Sequence, residues 1–343
     1  MEQLKQTLRA LMSIDSTTGF FPEMDDYLLA EAKRMGIKAV QLNKGGVRYD
    51  FGGTGNPVTI AAHVDAIGLM VRQINADGTL SVIKVGGVHP YYALDWNCRV
   101  HARNGRIYTG TVRRKNPSVH LMSATERETP MDLDTNLVLL LDEDVCSRAD
   151  VESLGITCGD QVAIETRYQE TEKGFIKSRY LDDKASAATL LALAQRIADG
   201  RVKPNRKVSL LFTEYEEIGH GGACGIPADT KDLIAVDIGC IGLDHDSDEH
   251  KVTIATKDAS FPYHTVLTDE LVKLCEAKGI AYALDMMVPS YGSDADVSLR
   301  AGYDVRHALI GPGVRETHGY ERTHEDALKA TLDLITAIVE GCR

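Results

Sequence analysis

Leu4, Leu8 and Leu11 fall on one helical stripe at the start of the chain, and a second helix is expected from Pro22 to a stop at Gly36. Short strands follow around Lys38 to Leu42 and Val47 to Phe51. Pro57-Val58-Thr59-Ile60-Ala61-Ala62 is apolar without alternation, the pattern of a strand covered on both faces, and it runs directly into the polar His63-Val64-Asp65. The rhythm then changes. From about Arg72 to Thr166, short alternating segments are separated by turn pairs such as Asp77-Gly78 and Asn104-Gly105, which predicts a small all-β unit of hairpins. Beyond it an Ala- and Leu-rich helix is expected from Ala185 to Ala198, closed by Gly200. Val208 to Phe212 reads as a buried strand running into Glu214-Tyr215-Glu216-Glu217, and Leu233 to Val236 as another ending at Asp237. A helix from Leu267 to Ala277, a strand from Ile280 to Leu284, a helix after Ser293, a strand from Val305 to Leu309 and a last helix from Glu325 to Glu340 complete the pattern. The alternation on either side of the hairpins belongs to one α/β sheet domain, residues 1–71 and 167–343, and residues 72–166 form an inserted β-domain for assembly or for covering a site.

The length of 343 residues fits two domains at about 150 residues each, and 43% apolar residues supply the core. No apolar run reaches the roughly 18 residues of a membrane span. The N-terminus opens an amphipathic helix and not a signal peptide, so a soluble cytoplasmic protein is expected, with no membrane partner. Against 50 acidic residues stand 38 basic ones, a net charge of −12, and no basic run exceeds Arg113-Arg114-Lys115. Nucleic acid is therefore excluded as a partner. Cys98, Cys146, Cys158, Cys224, Cys240, Cys275 and Cys342 are scattered and never spaced C-x-x-C, which fits reduced thiols.

What the pattern repeats is an apolar strand followed by an acid or a histidine: at His63, at Glu216 with Glu217, and at Asp237. Open α/β sheets bind ligands beyond the carboxyl ends of their strands. A single Asp-Asp or Glu-Glu pair is more often a solvated surface, and His324 alone can belong to a helix-start sequence, Thr323-His324-Glu325-Asp326. Recurrence changes the weighing. Burying His63, Asp65, Asp182, Asp183, Glu216, Glu217, Asp237 and His324 in one crevice demands compensating charge, which two divalent cations supply. Mixed imidazole and carboxylate ligands suit zinc or cobalt, with manganese also admissible. In His63-Val64-Asp65 the alternate side chains share a face, so His63 would ligate and Asp65 would orient its ring. Asp182 can bridge two ions about 3.5 to 4 Å apart, with Glu217 and His324 completing one and His63 and Asp237 the other. One glutamate of the Glu216-Glu217 pair would bind a cation while the other handles a proton.

Across nearly its whole length the sequence resembles peptidase family forty-two, the co-catalytic metallo-aminopeptidases often called tetrahedral aminopeptidases. The likeness is carried by His63-Val64-Asp65-Ala66-Ile67-Gly68, Leu181-Asp182-Asp183-Lys184, Glu216-Glu217-Ile218-Gly219, Ala235-Val236-Asp237 and Arg322-Thr323-His324. It implies a mixed-sheet zinc-peptidase domain with an inserted β-barrel-like dimerisation domain, and dimers that assemble into dodecamers. It also implies metals on His63, Asp182, Glu217, Asp237 and His324, and Glu216 as general base acting on a water between the metals. The activity implied is removal of N-terminal residues from short peptides. Two departures stand out: Ala66 where the family usually carries an acid, and a charged Thr317 to His324 segment in place of its usual Arg-Tyr-x-His. The alternative within enzymes is a related di-metal deacylase or carboxypeptidase acting on N-acyl amino acids, with Arg306, Arg315 or Arg322 as carboxylate anchor.

Overall fold

A computed structural model describes residues 1–341; Cys342 lies outside the described residues. The chain forms two compact units, Met1–Ala66 with Arg167–Arg343, and Ile67–Thr166.

The first unit is α/β. Its sheet runs from the edge strand Lys38–Gln41 through Val47–Phe51, Val208–Thr213, Val58–His63, Asp232–Val236, Arg306–Val314 and Val252–Lys257 to Tyr282–Met286, with Gly239–Cys240 paired against the end of Arg306–Val314. The four strands from Val208–Thr213 to Arg306–Val314 are mutually parallel, and antiparallel strands flank them. The sheet is therefore mixed. Val58–His63, Val208–Thr213 and Asp232–Val236 are buried along their whole length, which is why they read as continuous apolar runs. Three parallel strands in register deliver His63, the Thr213-Glu214 turn and Asp237 to one edge of the sheet.

Helix Leu181–Ala198 packs on this sheet between helices Glu2–Met12 and Glu325–Glu340. Covered on most sides, it is apolar nearly all round, as its Ala and Leu content requires. It starts four residues before the expected Ala185, because Leu181-Asp182-Asp183 makes the first turn with non-helical backbone angles at both aspartates. Lys184 follows, and its buried ammonium donates to the Leu11 and Ile14 carbonyls at 3.1 and 2.7 Å, satisfying the end of helix Glu2–Met12. The next residues brace the histidine motif: Ser16 Oγ donates to the Val64 carbonyl at 2.7 Å, and Thr17 pairs with Ala66. Ala66 is buried there, so the acid usual in the family would face the interior at this position.

The strand expected to stop at Leu309 continues to Val314 through Gly311 and Gly313. A Cβ on Gly311 would fall 1.5 Å from the Asp237 carbonyl oxygen, so glycine permits the contact that seats Asp237.

The second unit is a closed barrel of the strands Gly68–Ile74, Leu80–Val85, Leu137–Leu141, Ile107–Arg114, Asn97–His101 and Gln161–Ile164, in that order. Leu69, Leu80, Val82, Val100, Val112, Leu139 and Val162 fill it, while Tyr91, Ile107, Leu121 and Leu140 are exposed. Among the described residues no helix is long and apolar enough to cross a membrane, and Cys98, Cys146, Cys158, Cys224, Cys240 and Cys275 are thiols outside any disulfide.

Candidate metal centre

At the carboxyl edge of the parallel strands, His63 Nε2 lies 3.1 Å from Asp182 Oδ1 and 3.6 Å from Glu216 Oε2. Its other ring nitrogen faces the Asp65 backbone carbonyl at 3.0 Å, whereas the Asp65 carboxylate is 3.7 Å away. A carbonyl can only accept, so Nδ1 carries a proton and Nε2 is the nitrogen turned toward the acids. Asp65 thus orients the ring through its main chain, not through its side chain as the alternation suggested.

The Asp65 carboxylate has a different task. It accepts the backbone N–H groups of Glu216 and Glu217 at 3.1 and 3.3 Å and the Thr18 hydroxyl at 2.6 Å. Tyr215 before the pair has φ +70°, and Glu216–Ile218 forms one 3-10 turn, so the chain reverses sharply out of the strand and hangs both glutamates on Asp65.

Asp183 is buried, its Oδ2 accepting the His63 N–H at 3.2 Å, while its Oδ1 has no hydrogen-bond partner among the described residues. His63, Asp183 and Asp237 present ligand atoms all within 4.8 Å of one another, and so do His63, Asp182 and Glu217. Each group can hold a metal ion, and the two share His63.

Sequence reasoning missed one histidine here. His318 Nε2 lies 3.3 Å from Glu217 Oε2 and 3.6 Å from Asp182 Oδ2. It also missed Glu321, whose buried carboxylate accepts the His318 N–H and the Asp182 N–H, each at 3.0 Å. His324 is not brought to this cluster. Successive side chains of a strand point to opposite faces, so in Glu321–His324 the glutamate and Thr323 share one face while Arg322 and His324 take the other. There His324 Nδ1 accepts the Asp326 N–H at 3.1 Å as the N-cap of the last helix, and Nε2 meets the Lys173 carbonyl at 2.7 Å. A signal was available: Arg315-Glu316-Thr317-His318 keeps the Arg-x-x-His spacing, whereas Arg322 and His324 are only two apart.

The cluster is short of positive charge. Burial pushes the Glu216, Asp183 and Glu321 carboxyls well above the usual range, with neighbouring acids adding to it, and holds Asp237 up at about 8. Burial alone would lower both imidazoles. The surrounding carboxylates outweigh it, raising His63 well above its ordinary value and His318 to about 10. Acids holding each other protonated, with Asp183 Oδ1 unpartnered, fit a site that receives cations.

Asp182, Glu216, Glu217, Asp237 and His318 line a cavity of about 630 Å³ together with Tyr291 and Arg300. Gly221 is needed beside it, because a Cβ there would fall 1.9 Å from Asp294 Oδ1. A cleft of about 800 Å³ lies elsewhere, at the amino ends of the strands, where Asp232 is paired with Arg206 and Arg306. It contains none of the clustered ligands. The arginines suggested as carboxylate anchors do not line the cavity: Arg306 is held by Asp232, and Arg322 and Arg315 face Glu249 at 2.6 and 3.7 Å.

Residues 45–334 match the family model described as M42 glutamyl aminopeptidase. The chain belongs to that family. It is accordingly a hydrolase of the aminopeptidase class, with residue groups able to hold metal. Among relatives of this M42 chain, a putative aminopeptidase, YhfE, of Bacillus subtilis (strain 168) is 39% identical over 340 residues, covering 98% of this chain and 97% of that protein. A lysyl aminopeptidase of Pyrococcus furiosus is 28% identical over 185 residues, 54% of this chain and 51% of its own length. In fold, the M42 chain superposes on Pyrococcus horikoshii TET1 peptidase with a TM-score of 0.86 at 19% identity, over 99% of this chain and all of that one; that peptidase is described as assembling into a tetrahedron or a large octahedral shell.

Proposed function

We propose that the protein removes N-terminal residues from short peptides, with Glu216 as general base beside two divalent cations, zinc or cobalt with manganese admissible. His63, Asp182 and Asp237 would hold one cation, and Asp182, Glu217 and His318 the other, with Asp183 against His63. This reading rests above all on the convergence of Asp182, Glu216, Glu217, Asp237 and His318 on one cavity, with His63 against Asp182 and Glu216. Bound there, the cations would supply the positive charge that lowers a water's pKa and polarises the scissile carbonyl.

The chain's own residues account for the rest. Glu216 belongs to the turn held by Asp65, with its carboxylate against His63, and its raised pKa suits a group that takes a proton from attacking water and returns it to the leaving amine. Surplus carboxylate around the cavity favours a substrate that brings a free α-ammonium group, which restricts cleavage to the first peptide bond. The competing N-acyl substrate would bring a carboxylate and need a cationic anchor; among the described arginines Arg300 alone reaches the cavity wall, and it is paired with Asp296 at 3.1 Å.

The test compares aminoacyl anilides with N-acyl amino acids on metal-reconstituted protein. Cleavage of free-amine substrates only is expected, abolished by chelator and restored by zinc or cobalt. Cleavage confined to blocked substrates would refute the reading. We also propose that the barrel serves assembly of a dimer-based homo-oligomer, a dodecamer at its largest, since Tyr91, Ile107, Leu121 and Leu140 leave apolar surface on it. Sedimentation of a variant with charged residues at these positions checks this.

A further inference from the structure

We propose that His250, His324 and Asp326 form a separate binding site for a divalent transition-metal ion, independent of the catalytic cluster. Asp326 Oδ2 lies 2.9 Å from His250 Nδ1 and 3.1 Å from His324 Nδ1. The three ligand atoms are all within 4.8 Å of one another.

The contacts of His324 fix its tautomer. Its Nε2 is 2.7 Å from the Lys173 carbonyl oxygen, which can only accept, so Nε2 carries the proton. Nδ1 then keeps its lone pair, and it accepts the Asp326 backbone N–H at 3.1 Å. The Asp326 carboxylate oxygen stands at the same 3.1 Å from that nitrogen, so a cation held between them would take over the lone pair that the cap bond uses in its absence.

The geometry suits a metal. Ligand bonds of about 2.0 to 2.1 Å in a tetrahedron put neighbouring ligand atoms about 3.3 Å apart, close to both distances here. A metal-bound imidazole typically donates its other N–H to a carbonyl, which the Lys173 contact provides. The second ring is already in place, with the His250 and His324 centroids 4.2 Å apart and Phe175 edge-on to both. Two neighbouring cations are committed elsewhere: Arg322 to Glu249 and the Phe175 face, and Lys5 to Glu325 and Glu170. His250 and Asp326 are half exposed, so solvent can complete the coordination. Two imidazoles with one carboxylate favour zinc, nickel or cobalt over magnesium or calcium. A metal here would fasten the strand Glu321–His324, whose opposite face carries the Glu321 clamp on Asp182 and His318.

The test titrates zinc into chelator-stripped full-length protein by calorimetry and counts bound zinc per chain, for wild type, His250→Ala, Asp326→Asn and His318→Ala. Both substituted side chains of the outer site are largely solvent-facing, so folding is retained. His250→Ala and Asp326→Asn should each lose one zinc per chain, or bind it at least about tenfold more weakly, and lose part of the zinc-dependent rise in unfolding temperature. His318→Ala, which weakens the catalytic cluster, should keep the outer ion. Wild-type stoichiometry and affinity in both His250→Ala and Asp326→Asn would overturn the site, whatever the catalytic cluster does.

Discussion

His318 Nε2 stands 3.3 Å from Glu217 Oε2, while His324, six residues further on, caps a helix on the other face of the strand. The difference separates a residue of the catalytic cluster from one outside it. His318→Ala should lower kcat/KM by at least about a hundredfold, on the scale of losing a metal-site residue. His324→Ala should lose far less activity, its main effect being about 1 kcal/mol of stability from the missing cap. Steady-state kinetics and denaturant unfolding of the two variants check this; equal losses of activity would contradict it.

Asp65 acts through Glu216 and Glu217, since its carboxylate holds their backbone and not the substrate. Asp65→Asn puts an amide N–H against a main-chain N–H, so kcat should fall about ten- to a hundredfold with KM little changed, as for a residue that positions the group doing chemistry. Thr18→Ala should have a smaller effect of the same kind, rescued in Thr18→Ser, because Thr18 Oγ1 donates to Asp65 Oδ2 at 2.6 Å.

Metal binding should release protons. Asp237, held at about 8 by burial and by Asp182, carries a proton at neutral pH, and a carboxylate must lose it to ligate. Calorimetry at pH 6.5 in buffers of different ionisation enthalpy should show net proton release, whose Asp237 share falls away as the pH passes 8 while that of His318, held up at about 10, persists. The sign for the metal-free fold follows: between the ordinary value of 3.8 and about 8 the folded state binds more protons than the unfolded one, so its stability falls as pH rises through that window. Added zinc should flatten that fall.

Far from the cavity, Asp232 tests the electrostatics of the scaffold. Burial alone would raise its pKa, but hydrogen bonds from Arg306 at 2.7 and 3.0 Å and from Arg206 overcome burial and hold it below 3.8. A depressed pKa means that the unfolded state binds more protons, so this contribution is complete above about pH 4 and is lost as pH falls through the folded value. Asp232→Asn removes the buried carboxylate that Arg206 and Arg306 share, leaving Arg306 with Glu270 alone at 3.0 Å, and should cost about 3 kcal/mol at pH 7, less at pH 3. Urea unfolding at both values measures it, and an equal cost at both would contradict the pairing.

The sheet was legible because its central strands are covered on both faces, and Val58–His63, Val208–Thr213 and Asp232–Val236 therefore announce themselves as apolar runs. The polar residues directly after them, His63, Glu216, Glu217 and Asp237, were legible for the same reason. Asp182 followed from its pairing with Asp183 at a helix start. His318 was not, because it sits on a turn with no hydrophobic pattern to fix its direction, and Arg322-Thr323-His324 offered a competing match. Only the strand's period of two separates Glu321 from His324, and that requires knowing where the strand begins. Glu321 and the task of Asp65 were also hidden: both act by accepting main-chain N–H groups of residues far away in sequence, a relationship that exists only in the fold.

Anomalous diffraction at the zinc edge, on crystals of the zinc-loaded protein, locates the ions directly. Two peaks are expected in the cavity, one against His63, Asp182 and Asp237 and the other against Asp182, Glu217 and His318. A zinc-loaded, active crystal with no peak within coordinating distance of His63 or His318 would contradict the proposed centre.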